Sequence, residues 1–149
     1  MRIYIDTSVV GGFFDKEFDK ATKELFKKVE KGEIILVVSE LLEAELLRAP
    51  DRVGKHLTKY ADNRIEKVEL TEEANKLADL YINEQVVGQS SKADCQHIAI
   101  ATVNKVDVLV SWNFKHIVNL KRIRGCNSVN LKNNYPMLEI RTPKEVTEL

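Results

Sequence analysis

Two kinds of hydrophobic pattern alternate along this 149-residue chain. Met1 to Asp6 and Glu33 to Val38 are short, β-rich apolar runs, and Ile34-Ile35-Leu36-Val37-Val38 is apolar without alternation, the signature of a strand buried on both faces of a parallel sheet. Between them Ala21, Leu25, Phe26 and Val29 recur at helical spacing, with Gly32 as a C-terminal stop, so the opening unit reads β-α-β. A helix is predicted over Ser39 to Ala49, halted by Pro50, and a further helical segment over Asp51 to Ala61. Ile65 to Leu70 reads as an edge strand. Thr71 is an N-cap with Glu72 and Glu73 in the first turn, ahead of Ala74, Leu77, Ala78, Leu80 and Tyr81 on one face, and Gly88 ends that helix. Ser91 opens the next helix, which yields to the strand Val106 to Ser111; a helix near Ile117 to Asn130 and a strand at Leu138-Glu139-Ile140 complete the series.

Strands alternating with helices predict a three-layer α/β/α sandwich on a mainly parallel sheet, with right-handed crossovers. With 44% hydrophobic residues the chain is expected to form one domain over residues 1–149. No apolar stretch approaches a membrane span and Met1-Arg2 runs directly into a strand, which points to a cytoplasmic protein without a membrane partner. Cys95 and Cys126 stand far apart without metal-ligand spacing and read as reduced, structural residues.

Against this pattern three acids are out of place. Asp6 closes the first strand, and in such sheets ligands gather beyond the carboxyl ends of the strands. Its neighbours Thr7 and Ser8 equally suit an Asx-turn or a helix cap. At 100° per residue Glu45 lies on the apolar side with Leu41, Leu42 and Ala49, while Glu40 and Glu43 point away; the competing reading is an i,i+3 ion pair with Arg48. Asp94 shares a helical face with Ile98 and Ala101, although Ser91-x-x-Asp94 also resembles a capping box. His97, one turn along, reads either as a neighbour of the site or as a structural histidine. Asn113 follows the strand and returns to the edge that holds Asp6, whereas Asp107 begins its strand and belongs at the opposite edge. Carboxylates on apolar faces are costly unless neutralised, and a hard divalent cation is the usual neutraliser.

Net charge is zero, from 23 basic and 23 acidic residues, but the distribution is uneven. Between Asp107 and Glu139 there is no acid, while Lys115, Lys121, Arg122, Arg124 and Lys132 fall there with His116. Such a segment suits contact with phosphates, or simply a solvated basic helix.

Ile5-Asp6-Thr7-Ser8, Ser39 with Ala44-Glu45-Leu46-Leu47, Asp94 with Ile98-Ala99, and Leu109-Val110-Ser111-Trp112-Asn113-Phe114 together resemble the PIN-domain ribonucleases, including the toxin subunits of VapBC-type toxin–antitoxin modules. The resemblance covers nearly the whole chain in order. It implies a fold whose clustered acids bind Mg²⁺ or Mn²⁺ and hydrolyse RNA, with Asp6, Glu45 and Asp94 at the acidic positions and Asn113 where the family usually carries an aspartate. Thr7, Ser8 and Ser111 would assist, Lys92, Lys115, Arg122 and Arg124 would contact phosphates, and an antitoxin protein would insert a basic side chain among the acids; a homodimer stays open. An amide at 113 lacks the charge that recruits a second cation, so a weakened domain that binds RNA or protein without cutting is the alternative. A phosphoacceptor domain would need an adjacent acidic pair near the first strand, which Ile5-Asp6-Thr7 does not supply.

Overall fold

The computed structural model describes residues 1–84 and 92–149, so Gly88 and Ser91 lie outside the described residues. β1 (Arg2–Ile5), β2 (Ile35–Ser39), β3 (Ile65–Val68), β4 (Val108–Val110) and β5 (Ile140–Arg141) form one sheet in the order β3-β2-β1-β4-β5, parallel at every pairing. The order reverses between β1 and β4, which makes the carboxyl end of that pair the topological switch point.

Strand periodicity sorts the side chains into two cores. Ile3, Ile5, Leu36, Val38, Val108 and Val110 point to one face, against α1 (Thr7–Gly12), α2 (Asp19–Glu30) and α3 (Glu40–Leu46). Tyr4, Val37, Leu109 and Ile140 point to the other, against α5 (Glu72–Asn83), α6 (Lys92–Val103) and α7 (Leu120–Lys132). Both faces are therefore covered, as an all-parallel sheet requires, and the architecture is the expected α/β/α sandwich. Cys95 and Cys126 are buried free thiols whose pKa burial pushes up to about 12. No helix among the described residues is long and apolar enough to cross a membrane.

Local signals explain most element ends. Thr71 caps α5 by accepting from Ala74 N at 3.1 Å, and Gly32 stops α2 with φ +78°, a conformation costly for other residues. Several expected boundaries move. The helix begun at Ser39 ends at Leu46, not Ala49. The segment to Ala61 is broken into α4 (Asp51–Gly54) and short 3-10 helices at His56–Lys59 and Asp62–Arg64. The helix expected from Ile117 starts at Leu120, because Ile117 N and Val118 N turn back to Asn113 O and Asn119 caps through Arg122 N. The strand over Val106 to Ser111 shortens to Val108–Val110, and the last strand is Ile140–Arg141. Two short helices escape the periodicity entirely, α1 and α8 (Pro143–Thr147). The second carries a signal outside the period, Thr142-Pro143-Lys144-Glu145, a capping box with proline in the first turn.

Candidate active site

Asp6 leaves β1 at the switch point and occupies the N-cap position of α1, yet its side chain makes no bond to that helix's amides. Its Oδ1 accepts instead from Ser8 Oγ (2.6 Å) and its Oδ2 from Ser111 Oγ at the end of β4 (2.8 Å). With 4% exposure the carboxyl is nearly enclosed. Burial raises its pKa; the charge of His97 and the two hydroxyls oppose the rise, and the Asp94 charge adds to it. The cap reading of Asp6-Thr7-Ser8 is thus replaced by a carboxylate held by one serine from the first turn of α1 and one from the end of β4.

Glu45 reaches the same sheet edge from α3. Its Oε1 accepts from Thr7 Oγ1 at 2.9 Å and lies 2.6 Å from His97 Nε2. Arg48, the i+3 partner offered by the sequence, acts on it only through its charge at longer range. Burial pushes the Glu45 pKa up, but the His97 bond and charge, Thr7 and Arg48 together bring it below the ordinary value. An ionised carboxylate only accepts, so Nε2 carries a proton and donates to it, and Nδ1 lies 2.6 Å from the Tyr4 hydroxyl oxygen. Tyr4 in turn lies 2.8 Å from Ser39 Oγ, which accepts from Leu42 N in the first turn of α3. The helix that carries Glu45 is therefore tied at its start and at its carboxylate to one buried chain, Ser39–Tyr4–His97–Glu45. Sequence reasoning left His97 undecided and missed Tyr4, because a tyrosine in an apolar strand reads as core and this one is also a hydrogen-bonding hub.

Asp94 stands half-buried in the first turn of α6. Its Oδ1 accepts from Asn113 Nδ2 at 3.3 Å, and Asn113 is itself held by Ser111 Oγ to its N–H (2.9 Å) and by His116 N–H to its Oδ1 (2.9 Å). Burial raises the Asp94 pKa, against the charges of His116, His97 and Arg122 and together with that of Glu45. A cap from Ser91 lies outside the described residues. Of the basic residues singled out, Arg122 and His116 act electrostatically on Asp94. Lys92 and Lys115 are exposed on the elements that carry Asp94 and Asn113, while Arg124, also exposed, lies about 200° around α7 from Arg122 and faces elsewhere. Asp107 lies at the opposite edge, where its carboxylate accepts from Arg2 N.

The donor set is all oxygen. Among the described residues no three His, Cys, Asp or Glu side chains are grouped so that they could hold a metal ion. The oxygen donors of Asp6 and Asp94 are of the kind Mg²⁺ takes, which binds through one or two carboxylates and keeps several waters. Burial and mutual repulsion of Asp6 and Asp94 are the strains such a cation would relieve.

The order of these elements and residues is reflected in a family model: that of the PIN domain matches residues 3–115, a span that includes Asp6, Glu45, Asp94 and Asn113. The chain belongs to the PIN-domain family. Among solved structures this PIN domain is similar to Mycobacterium tuberculosis VapC20, a Sarcin-Ricin loop cleaving toxin, with a TM-score of 0.59, 12% identity, and coverage of 76% of this chain and 92% of that one. It is similar also to Rickettsia felis VapBC2 bound to a DNA fragment from its promoter, with a TM-score of 0.56, 12% identity, and coverage of 95% and 98%. At this identity the likeness is one of fold. No curated protein matches the chain.

Proposed function

We propose that this PIN domain is a divalent-metal-dependent endoribonuclease and the toxin component of a toxin–antitoxin module. The observation that carries the reading is Asp6: an acid buried at the switch point, withheld from its own helix cap, held by Ser8 and Ser111, and close enough to Asp94 for the two charges to perturb each other. Family membership and the two VapC-type neighbours support it.

Asp6, Glu45 and Asp94 would hold Mg²⁺ or Mn²⁺. When bound, the cation supplies charge neutralisation at the scissile phosphate and acidifies water at neutral pH. Ser8 and Ser111 hold Asp6, and His97 and Thr7 hold Glu45, so both carboxylates are fixed in advance. Arg122 adds positive charge near Asp94. A second reading, a domain weakened in catalysis that binds RNA or protein, is favoured by one observation: Asn113 donates an amide hydrogen to Asp94, meeting with a neutral group part of the demand that a fourth acid would leave to metal.

The test is cleavage of a panel of RNAs with Mg²⁺ and with Mn²⁺, beside the melting temperature at each metal concentration. Wild type should cut and be stabilised by metal, and Asp6→Asn should lose both while remaining folded. A wild-type protein stabilised by metal yet inert on every RNA would transfer the conclusion to the second reading; one that neither cuts nor responds to metal would refute the site.

A further inference from the structure

Beside the acids stands a group of rings that the proposed reaction does not use. Phe18 stacks on Trp112 with centroids 4.5 Å apart and planes 25° from parallel, and Phe114 lies 6.1 Å from Trp112 and 6.3 Å from Phe18. Phe114 is 51% exposed, the only aromatic among the exposed large hydrophobic side chains of the described residues. A single exposed apolar side chain is ordinary, but this one tops a continuous aromatic cluster and is the neighbour of Asn113, about 3.8 Å of chain from the residue that touches Asp94.

The segment is also held in place. Phe114 N–H donates to Trp112 O at 3.0 Å across a three-residue turn centred on Asn113. Asn113 N–H donates to Ser111 Oγ, Trp112 N–H to Ser8 Oγ at 2.9 Å, and the Trp112 indole N–H to Thr22 Oγ1 at 2.9 Å. The serines that fix Asp6 thus also fix the rings, and an exposed face prepared in this way loses little freedom on binding. On the Phe114 side the chain is basic, since residues 108–138 contain no acid and Lys115 is exposed directly after Phe114, while Phe18 across the stack is flanked by Asp15, Glu17 and Asp19. A flat aromatic face edged by positive charge is complementary to a nucleobase and its phosphate.

We propose that Phe114, backed by the Trp112–Phe18 stack, is the platform for one unpaired base beside the phosphate that is cut, with Lys115 on the adjoining phosphate. Such a platform takes a base only when it is unstacked, because a base inside an A-form helix presents no free face. This deepens the ribonuclease reading and rests on it for the phosphate's position.

Trp112 is the chain's single tryptophan, so its emission reports the platform directly. Binding of an unstructured twelve-nucleotide RNA and of the same strand in a perfect duplex is measured by Trp112 fluorescence and by anisotropy, on an Asp94→Asn background that preserves the probe. Single-stranded RNA should alter the emission, and Phe114→Ala should weaken its binding about five- to hundredfold. Phe114→Tyr should restore binding and Phe114→Leu should not, a contrast that bulk hydrophobicity would not produce. Equal affinity of Phe114→Ala and parent, equal and equally Phe114-dependent binding of duplex, or no RNA binding at all would overturn the proposal. So would unchanged RNA affinity accompanied by loss of a self-associated species in sedimentation, which would assign the face to a protein contact. The two readings fail separately: Phe114-dependent binding by an Asp94-intact protein that cuts nothing keeps the platform and removes the nuclease. Cleavage with unchanged KM and kcat in Phe114→Ala keeps the nuclease and removes the platform.

Discussion

Tyr4→Phe removes one oxygen atom from the centre of the buried chain that positions Glu45, and its consequences follow from the geometry. The hydroxyl contacts Ser39 Oγ at 2.8 Å and His97 Nδ1 at 2.6 Å. Ser39 is 0% and His97 2% exposed, so neither can turn to water. Ser39 keeps the amide of Leu42, but His97 Nδ1 loses its partner, and a buried polar group left unmatched costs about 1–3 kcal/mol. For a chain of this length each kcal/mol moves the melting temperature by roughly 2–4 °C, so a loss of roughly 2–12 °C is expected by calorimetry or circular dichroism. A second signature lies in alkali. Burial holds the Tyr4 phenol far above its ordinary pKa of about 10, so the folded state keeps a proton that the unfolded state releases. The stability linked to Tyr4 is complete below pH 10 and is lost as pH rises above it, at about 1.4 kcal/mol per pH unit. Other buried tyrosines contribute their own slopes, so Tyr4→Phe should make the alkaline limb shallower by one proton's worth. Destabilisation below about 0.5 kcal/mol together with an unchanged alkaline limb in urea titrations would refute the chain.

Other substitutions probe different parts of the molecule. Asn113→Asp keeps the acceptor for His116 N–H but replaces the amide donor to Asp94 with a like charge; the metal-free melting temperature should fall by a few degrees, the rise on adding Mn²⁺ should grow, and RNA cleavage should increase. His56 is 1% exposed among Phe13, Phe26 and Tyr60, with Nδ1 unpartnered and its pKa pushed down to about 4 by burial and by the charge of Lys59. Because that pKa is depressed in the fold, the associated stability is present above pH 6.5 and is lost as pH falls toward 4. His56→Phe should therefore flatten the acid limb of melting temperature against pH, while at neutral pH relief of the unpartnered Nδ1 is offset by loss of the 2.9 Å bond between Nε2 and the Tyr60 hydroxyl. A Cβ at Gly12 would stand 2.7 and 2.8 Å from atoms of the Trp112 ring. Gly12→Ala should displace the indole from Thr22, shift its emission to longer wavelength and cost about 1–3 kcal/mol in denaturant titrations.

Regular elements were the most legible part of this chain. The apolar run of β2, the amphipathic faces of α2 and α5, the Thr71 cap and the Gly32 stop are each written within a dozen residues, where period and capping chemistry act without help from the rest of the fold. Asp6 at a strand end and Asp107 at a strand start could be sent to opposite edges of the sheet from strand direction alone. Short elements were less legible: α1 and α8 are too brief to show a period, and the 3-10 helices around His56 are held by an aromatic cluster assembled from distant segments.

The linear order of strands, helices and acids was thus determined by sequence alone, because hydrophobic periodicity is a local property. The partners of those acids were decided by tertiary structure. Glu45 had Arg48 within one turn but is held by His97, 52 residues away, because α3 and α6, on opposite faces of the sheet, both reach the same sheet edge beside Tyr4. Asp6 sat at a helix N-cap but is turned from it by Ser111, 105 residues distant, because β1 and β4 are adjacent in the sheet. A side chain takes the hydrogen bonds that cost least in the folded molecule, and at a sheet edge those come from neighbouring strands and helices that the local sequence does not contain.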